Sequence, residues 1–149
     1  MRFLLEKASA SCRNWNRKPL TEDDFHRLCR RNKITVVEMP LRTHGFYYCV
    51  KGRHFIAIDS KLPPLTKLFV MFHELGHFLL HSPDTNATAN FHGVGKRSRK
   101  EREADAFALC SLIPRRWIAE RTVDELIGEE GLDPDTVRER LEIYRTHGV

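Results

Sequence analysis

The chain has 149 residues and a net charge of +5, and its 41% hydrophobic and 30% charged residues are typical of a globular domain. This length supports one hydrophobic core, and a mixture of helical and strand patterns predicts a single α+β domain. No apolar run reaches the roughly 20 residues that a membrane helix needs, and the N-terminal residues are too polar for a signal peptide. Four scattered cysteines without a CxxC pair indicate free thiols in a reducing cytoplasm.

The first 33 residues are expected to be an N-terminal arm and one helix, packed on a main domain that spans residues 34–149. Residues 1–20 show no hydrophobic periodicity and predict an irregular arm. A helix is predicted from Thr21 to about Asn32, because acidic residues fill its first turn and apolar residues follow at helical spacing.

Three strand-like runs follow the first helix. Residues 34–39 are rich in β-branched side chains and are stopped by Pro40. Residues 46–50 and 54–58 flank a short Lys-Gly-Arg segment, which predicts a β-hairpin. These strands are expected to form a small sheet against a helical core.

The strongest functional signal is an HExxH pattern in the apolar stretch that follows Pro63. Residues four apart lie on one face of a helix, so His73 and His77 can offer two imidazoles to one cation. Glu74 is turned by about 100°, which places its carboxylate beside the cation, where it can take a proton from an activated water. The pattern favours Zn²⁺. The alternative is a core helix with two hydrogen-bonded histidines.

His81 and His92 are further candidates near this site. His81 lies four residues after His77, where it can serve as an additional ligand or contact the last carbonyls of the helix. His92 belongs to a polar segment, residues 82–97, that can cover a cleft or merely connect two helices.

A second helix, predicted over residues 98–113, can supply the third ligand. At about 100° per residue, Glu101 and Asp105 fall on its apolar face, whereas Glu103 falls on the opposite side. We therefore predict Glu101 as the third ligand, with Glu103 as the alternative. Asp105 is suited to accept the remaining N–H of a ligand histidine.

The remaining residues predict helices that pack on the core. One begins after Pro114, another at Thr122, and a last one at Asp133. Tyr144, on the last helix, joins the two additional histidines as a candidate for a second group that stabilises the developing oxyanion.

Three motifs together resemble the ImmA/IrrE metallopeptidases. They are HELGHFLLH, the downstream Glu-x-x-Ala-Asp-x-Phe-Ala, and Leu-Ile-Pro at residues 112–114. The resemblance covers the chain from about residue 34 onwards. It implies a compact gluzincin-like fold, and a strand near residues 55–58 at the edge of the sheet, where an extended peptide can pair with it. The alternative for this strand is an ordinary sheet wall over the helix that carries HExxH.

The same resemblance assigns roles to the site residues. It implies that His73, His77 and Glu101 hold Zn²⁺ and that Glu74 is the catalytic base. It also implies a protein substrate, such as a transcriptional repressor, in a prophage or stress-response setting.

The expected function is therefore zinc-dependent hydrolysis of a peptide bond in a transcriptional regulator. The alternative is a non-proteolytic, metal-bound regulatory module that binds a repressor, a toxin or DNA. Basic residues 96–100 can contact nucleic acid, although a solvated loop explains them more simply. No membrane partner is expected, and the oligomeric state is left open.

Overall fold

The computed structural model describes residues 1–81, 90–91 and 98–149, and residues 90–91 by their backbone alone. Within these residues it contains seven α-helices and a four-stranded sheet, which confirms the α+β class. The helices are α1 (Arg2–Ser11), α2 (Glu22–Arg31), α3 (Pro64–Leu80), α4 (Arg99–Leu112), α5 (Arg115–Glu120), α6 (Val123–Glu130) and α7 (Pro134–His147). The strands are β1 (Ile34–Met39), β2 (Gly45–Val50), β3 (Arg53–Asp59) and β4 (Asn90–Phe91).

The strand order is β1-β3-β2-β4, with β3 parallel to β1 and antiparallel to β2. The predicted hairpin is confirmed: β2 and β3 are joined by Lys51 and Gly52, which both have positive φ angles, 48° and 74°. Two successive residues in the left-handed region are typical of a type I′ turn, whose twist matches that of the flanking strands.

The expectation that residues 55–58 lie at the edge of the sheet is wrong. Phe55 pairs with Thr35 of β1 on one side and with Tyr48 of β2 on the other. Because β3 has a neighbour on both sides along its length, its backbone groups are already committed to the sheet. In the described part of the chain, the outer positions belong to β1 and to the short β4.

The expectation of an irregular N-terminal arm is also wrong, because residues 2–11 form α1. Leu5 and Ala8 are buried, and α1 packs against α3 and α4. Beyond α1, the Trp15 ring stacks on Phe107 with centroids 5.8 Å apart, and Trp15 Nε1 donates to the Phe107 carbonyl at 3.1 Å. Tertiary packing thus forms a helix whose own sequence periodicity is weak.

Four of the predicted helix starts, those of α2, α4, α6 and α7, are confirmed by side-chain caps. A side-chain oxygen at each N-cap accepts a hydrogen bond from the backbone N–H three residues later, which satisfies one donor that the helix leaves unpaired. The capping residues are Thr21, Ser98, Thr122 and Asp133.

The close packing of α3 on α4 positions the functional residues. Gly76 lies at this contact: a Cβ atom there would lie 3.0 Å from the Phe107 ring and 3.4 Å from Ala104 Cα. The absence of a side chain at Gly76, together with the small Ala104, therefore lets the two helices approach closely. Polar groups on their facing surfaces are brought within hydrogen-bond distance.

Candidate metal centre

Three predicted ligands converge between α3 and α4. His73 Nε2 lies 3.0 Å from His77 Nε2 and 3.2 Å from Glu101 Oε2. The other carboxylate oxygen of Glu101 lies 3.1 Å from His77 Nε2. Both histidines are buried and Glu101 is partly buried, so the three side chains form one enclosed group of ligand atoms.

The spacing of these atoms suits a small divalent cation. Zn²⁺ binds imidazole nitrogen and carboxylate oxygen at about 2.0–2.2 Å, so neighbouring ligands of a tetrahedral site lie about 3.3–3.5 Å apart. The distances of 3.0–3.2 Å between the donor atoms come within a few tenths of an ångström of that value. Two imidazoles and one carboxylate also match the ligand set of catalytic zinc sites with an open position.

Asp105 fixes the orientation of the His73 ring. Its Oδ1 lies 2.8 Å from His73 Nδ1 in a buried contact, as the position of Asp105 on the apolar face of α4 predicts. An ionised carboxylate only accepts hydrogen bonds, so Nδ1 carries a proton and donates it to Asp105. In the neutral ring, the lone pair is then on Nε2 and is directed toward His77 and Glu101.

The electrostatics of the group favour a positive charge at its centre. Burial alone works to lower the pKa of His73, but hydrogen bonds with Asp105 and Glu101 outweigh it and raise the pKa to about 9. Hydrogen bonds with His73 and His77 hold the pKa of Glu101 far below its usual range. In the metal-free protein a proton on His73 supplies the charge, and a metal ion must replace that proton to bind.

Glu74 is fully buried on α3, next to the first of the two histidines. Its negative charge is near enough to His73 to contribute to the raised pKa of that ring. The Glu74 carboxylate therefore interacts electrostatically with the group of candidate ligands. It is not one of the three side chains whose ligand atoms converge.

The structure places Glu103 differently from the helical-wheel expectation. Its side chain is buried, and its Oε2 lies 2.8 Å from His81 Nε2. Burial alone works to raise the pKa of Glu103, but hydrogen bonds from His81 and Arg99 outweigh it and lower the pKa. Glu103 is thus neither a solvated charge nor a member of the three-residue group, and it contacts the site through His81.

His81 also differs from both expectations that the sequence left open. Its Nδ1 lies 3.3 Å from His77 Nδ1, on the side of that ring that points away from His73 and Glu101. Burial lowers the pKa of His81, which favours a neutral ring. The sequence signal for this contact is the spacing of four residues after His77, which places the two side chains on one helix face.

The remaining candidates are not among the three converging side chains or lie outside the described residues. The Tyr144 ring lies under the Arg115 guanidinium, 5.6 Å from the ring centroid. His92 and most of the polar segment 82–97 lie outside the residues whose structure is described, as do the first two members of the basic run 96–100. Arg99 and Lys100 are exposed at the start of α4.

A second group with ligand-type side chains is less suited to a metal. Glu22, His26 and Glu38 lie close together but are largely accessible to solvent. The ammonium group of Lys67 is 2.9 Å from Glu38 and 3.5 Å from Glu22, so a protein cation already pairs with both carboxylates.

Together these features define an α+β domain in which an HExxH helix packs on a helix that carries acidic residues. The family model described as the IrrE N-terminal-like domain, Peptidase M78, matches residues 29–143, and the chain belongs to this family. The match confirms the resemblance that the sequence motifs indicated. It makes this a metallopeptidase-like domain.

One relative links the chain to a phage. The chain is similar to uncharacterized immunity region protein 2 of Bacillus phage phi105, with 29% identity over 109 residues that cover 66% of this chain and 68% of the phage protein. Separately, none of the helices in the described part of the chain is both long and apolar enough to cross a bilayer.

Proposed function

We propose that this protein is a zinc-dependent endopeptidase that hydrolyses a peptide bond in a regulatory protein. The observation that carries the proposal is the convergence of His73, His77 and Glu101, with Glu74 buried on the same helix as the two histidines. Membership of a metallopeptidase family supports the same chemistry. Cleavage, the identity of the metal and the substrate are the parts that experiment must test.

His73, His77 and Glu101 would hold the metal through Nε2, Nε2 and the carboxylate. When bound, Zn²⁺ would polarise the scissile carbonyl and make a water molecule acidic enough to lose a proton near neutral pH. Mixed nitrogen and oxygen ligands also accept Mn²⁺ or Fe²⁺, so metal content must be measured directly.

Glu74 would act as the general base and then as the general acid. It accepts a proton from the water whose oxygen forms a bond to the scissile carbonyl carbon. It then gives that proton to the amide nitrogen as the carbon–nitrogen bond breaks and the amine leaves. Burial excludes bulk water from Glu74.

The substrate is proposed to be a transcriptional regulator, such as a repressor, encoded near this protein. Similarity to a phage immunity-region protein supports such a setting, since immunity is a regulatory state. The reaction is proposed to occur in the cytoplasm. Free thiols at all four cysteines are consistent with that reducing compartment.

The experiment is a Glu74→Gln substitution tested for cleavage of a repressor-like protein encoded next to this one. The substitution keeps the size of the side chain but removes the proton acceptor. We expect cleavage to fall by about 10²–10⁴-fold with zinc content unchanged. A matched control is Glu120→Gln. Glu120 is exposed on α5, and among the described residues its ion pair is with Arg116.

Two results would count against proteolysis. One is cleavage by the Glu74→Gln variant at the wild-type rate. The other is full biological output, such as derepression of the neighbouring genes, from a variant that retains zinc but no longer cleaves. The second result would favour a metal-bound module that acts by binding a repressor, a toxin or DNA.

A further inference from the structure

A chain of side-chain contacts leads from His77 to the surface of α4. His77 Nδ1 lies 3.3 Å from His81 Nδ1, and His81 Nε2 lies 2.8 Å from Glu103 Oε2. Arg99 Nε donates to the other oxygen of Glu103 at 2.7 Å. The side chains of His81 and Glu103 are only 8% and 4% exposed, so water competes little for these contacts.

The position of each proton follows from the two ends of the chain. Arg99 always carries its charge and donates to Glu103, which stabilises Glu103 as a carboxylate that only accepts hydrogen bonds. His81 therefore donates from Nε2. A neutral His81 ring then has its lone pair on Nδ1, and this atom can accept a hydrogen bond from the Nδ1–H of His77.

We propose that His81 and Glu103 are positioning residues that hold His77 in the tautomer protonated at Nδ1, with its Nε2 lone pair directed at the metal centre. This inference rests on the proposed function, because it concerns how a proposed ligand is prepared for a metal. Neither residue is assigned as a ligand.

The two histidines of the HExxH pattern are thus oriented by different hydrogen-bond partners. His73 donates directly to the Asp105 carboxylate at 2.8 Å, whereas His77 reaches the Glu103 carboxylate through the His81 ring. Without an acceptor at its Nδ1, His77 is free to place its single proton on Nε2, the atom that faces the centre. Partners of this kind typically change metal affinity by about 10–100-fold.

The helix geometry makes His81 suited to this role. It is the C-cap residue of α3 and follows His77 by four positions, so the two rings lie along one face with centroids 5.3 Å apart and planes inclined by 48°. Glu103 lies on α4 between Glu101 and Asp105. One short segment of α4 thereby supplies a candidate ligand and the carboxylates that orient both histidines.

The test compares two replacements of His81. In His81→Leu the ring is replaced by an apolar group, and zinc affinity measured by chelator competition should fall by about 10–100-fold. In His81→Gln the side-chain oxygen can accept from His77 while the amide donates to Glu103, and affinity should return to within about threefold of wild type. His44→Leu is the control, because His44 is exposed before β2.

A second readout needs neither metal nor activity. Long-range ¹H–¹⁵N correlation spectra of the metal-free protein should show neutral His77 protonated at Nδ1, and His81→Leu should shift this tautomer balance toward Nε2. A wild-type protein in which neutral His77 is protonated mainly at Nε2 would overturn the inference, even if the Leu variant failed to fold. Equal zinc affinities of the Leu and wild-type proteins would also overturn it.

The two readouts separate this inference from the proposed function. If wild-type protein bound zinc with the expected dependence on His81 but cleaved nothing, the peptidase proposal alone would fail. If it cleaved its substrate while His77 showed the opposite tautomer, the inference about His81 and Glu103 alone would fail.

Discussion

Two buried polar clusters in this molecule satisfy their hydrogen bonds in opposite ways. Arg140 is fully buried on α7, and its three guanidinium nitrogens donate to Ile113 O, Val149 O and Asn16 Oδ1 at 2.7–2.9 Å. Each of the three nitrogens therefore meets an acceptor. Between α3 and α4, by contrast, the Nε2 atoms of two histidines face each other and a carboxylate, all at 3.0–3.2 Å.

The difference distinguishes a structural cluster from a binding site. The Arg140 cluster links α7 to the end of α4 and to the segment after α1 by hydrogen bonds, which need no further ligand to complete them. When both histidines donate hydrogen bonds from Nδ1 away from the centre, their Nε2 atoms and the Glu101 carboxylate, which face one another, are all acceptors. A group of converging acceptors attracts a cation, whether a proton or a metal ion.

The largest expected effect is on zinc binding. His73→Ala removes one of three protein ligands, and we expect affinity to fall by about 10³-fold or more, because structural and catalytic sites depend on the full ligand set. Metal analysis after dialysis and chelator competition measure this loss. Affinity within tenfold of wild type would show that His73 is not a ligand.

The acidic residues of α4 give the next test. Glu101→Ala should weaken zinc binding by about 10³-fold, whereas Glu103→Ala should weaken it by about 10–100-fold, because Glu103 acts only through His81. The same chelator competition ranks the two variants. The reverse order would exchange the roles that we assign to these two glutamates.

The structural cluster should respond in stability rather than in metal binding. Arg140→Met leaves the buried Ile113 carbonyl and the partly buried Val149 and Asn16 oxygens without this donor, and we expect the free energy of unfolding to fall by about 3–5 kcal/mol. Chemical denaturation of the zinc-loaded protein measures the change. The control Arg138→Met, at a residue whose side chain is 75% exposed, should change stability by no more than about 0.5 kcal/mol.

The zinc content of the Arg140→Met protein tests whether the Arg140 cluster is independent of the metal centre. The folded Arg140→Met protein should bind zinc at the wild-type stoichiometry. A variant that keeps its stability but loses its metal would contradict the division into a structural cluster and a binding site.

The smallest expected effect is a dependence of stability on pH in the metal-free protein. The pKa of His73 is about 9 in the folded state and about 6.5 when unfolded, so the folded state binds the extra proton between these values. The resulting stabilisation is complete below about pH 6.5 and is lost as pH rises toward 9. We expect its size to be at most about 3 kcal/mol.

Denaturation in the presence of a chelator, repeated across this pH range, measures that loss. His73→Gln should flatten the curve in the same window, because its amide does not titrate. An identical slope in the variant would assign the pH dependence to another group.

Local sequence patterns predicted the elements that carry the site. The apolar stretch around HExxH, the capping residue Ser98 and the angular positions of Glu101 and Asp105 depend on helix periodicity alone. The structure accordingly places Glu101 against both histidines and Asp105 against His73. These relations need only the approach of two helices, which small residues at Gly76 and Ala104 permit.

The errors arose where distant parts of the chain decide the outcome. The helix α1 forms because Leu5 and Ala8 are buried by α3 and α4, which a scan of residues 1–20 does not reveal. The central position of β3 depends on its parallel pairing with β1, a long-range contact. A helical wheel places Glu103 opposite the apolar face of α4, because it takes no account of His81 at the end of α3, which contacts Glu103.

The most direct test is a crystal structure of the zinc-loaded protein with anomalous data collected at the zinc edge. We predict one strong peak about 2.0–2.2 Å from His73 Nε2, His77 Nε2 and a carboxylate oxygen of Glu101. A peak at Glu22, His26 and Glu38 instead, or zinc-loaded crystals in which the three predicted ligands contact no metal, would contradict the account.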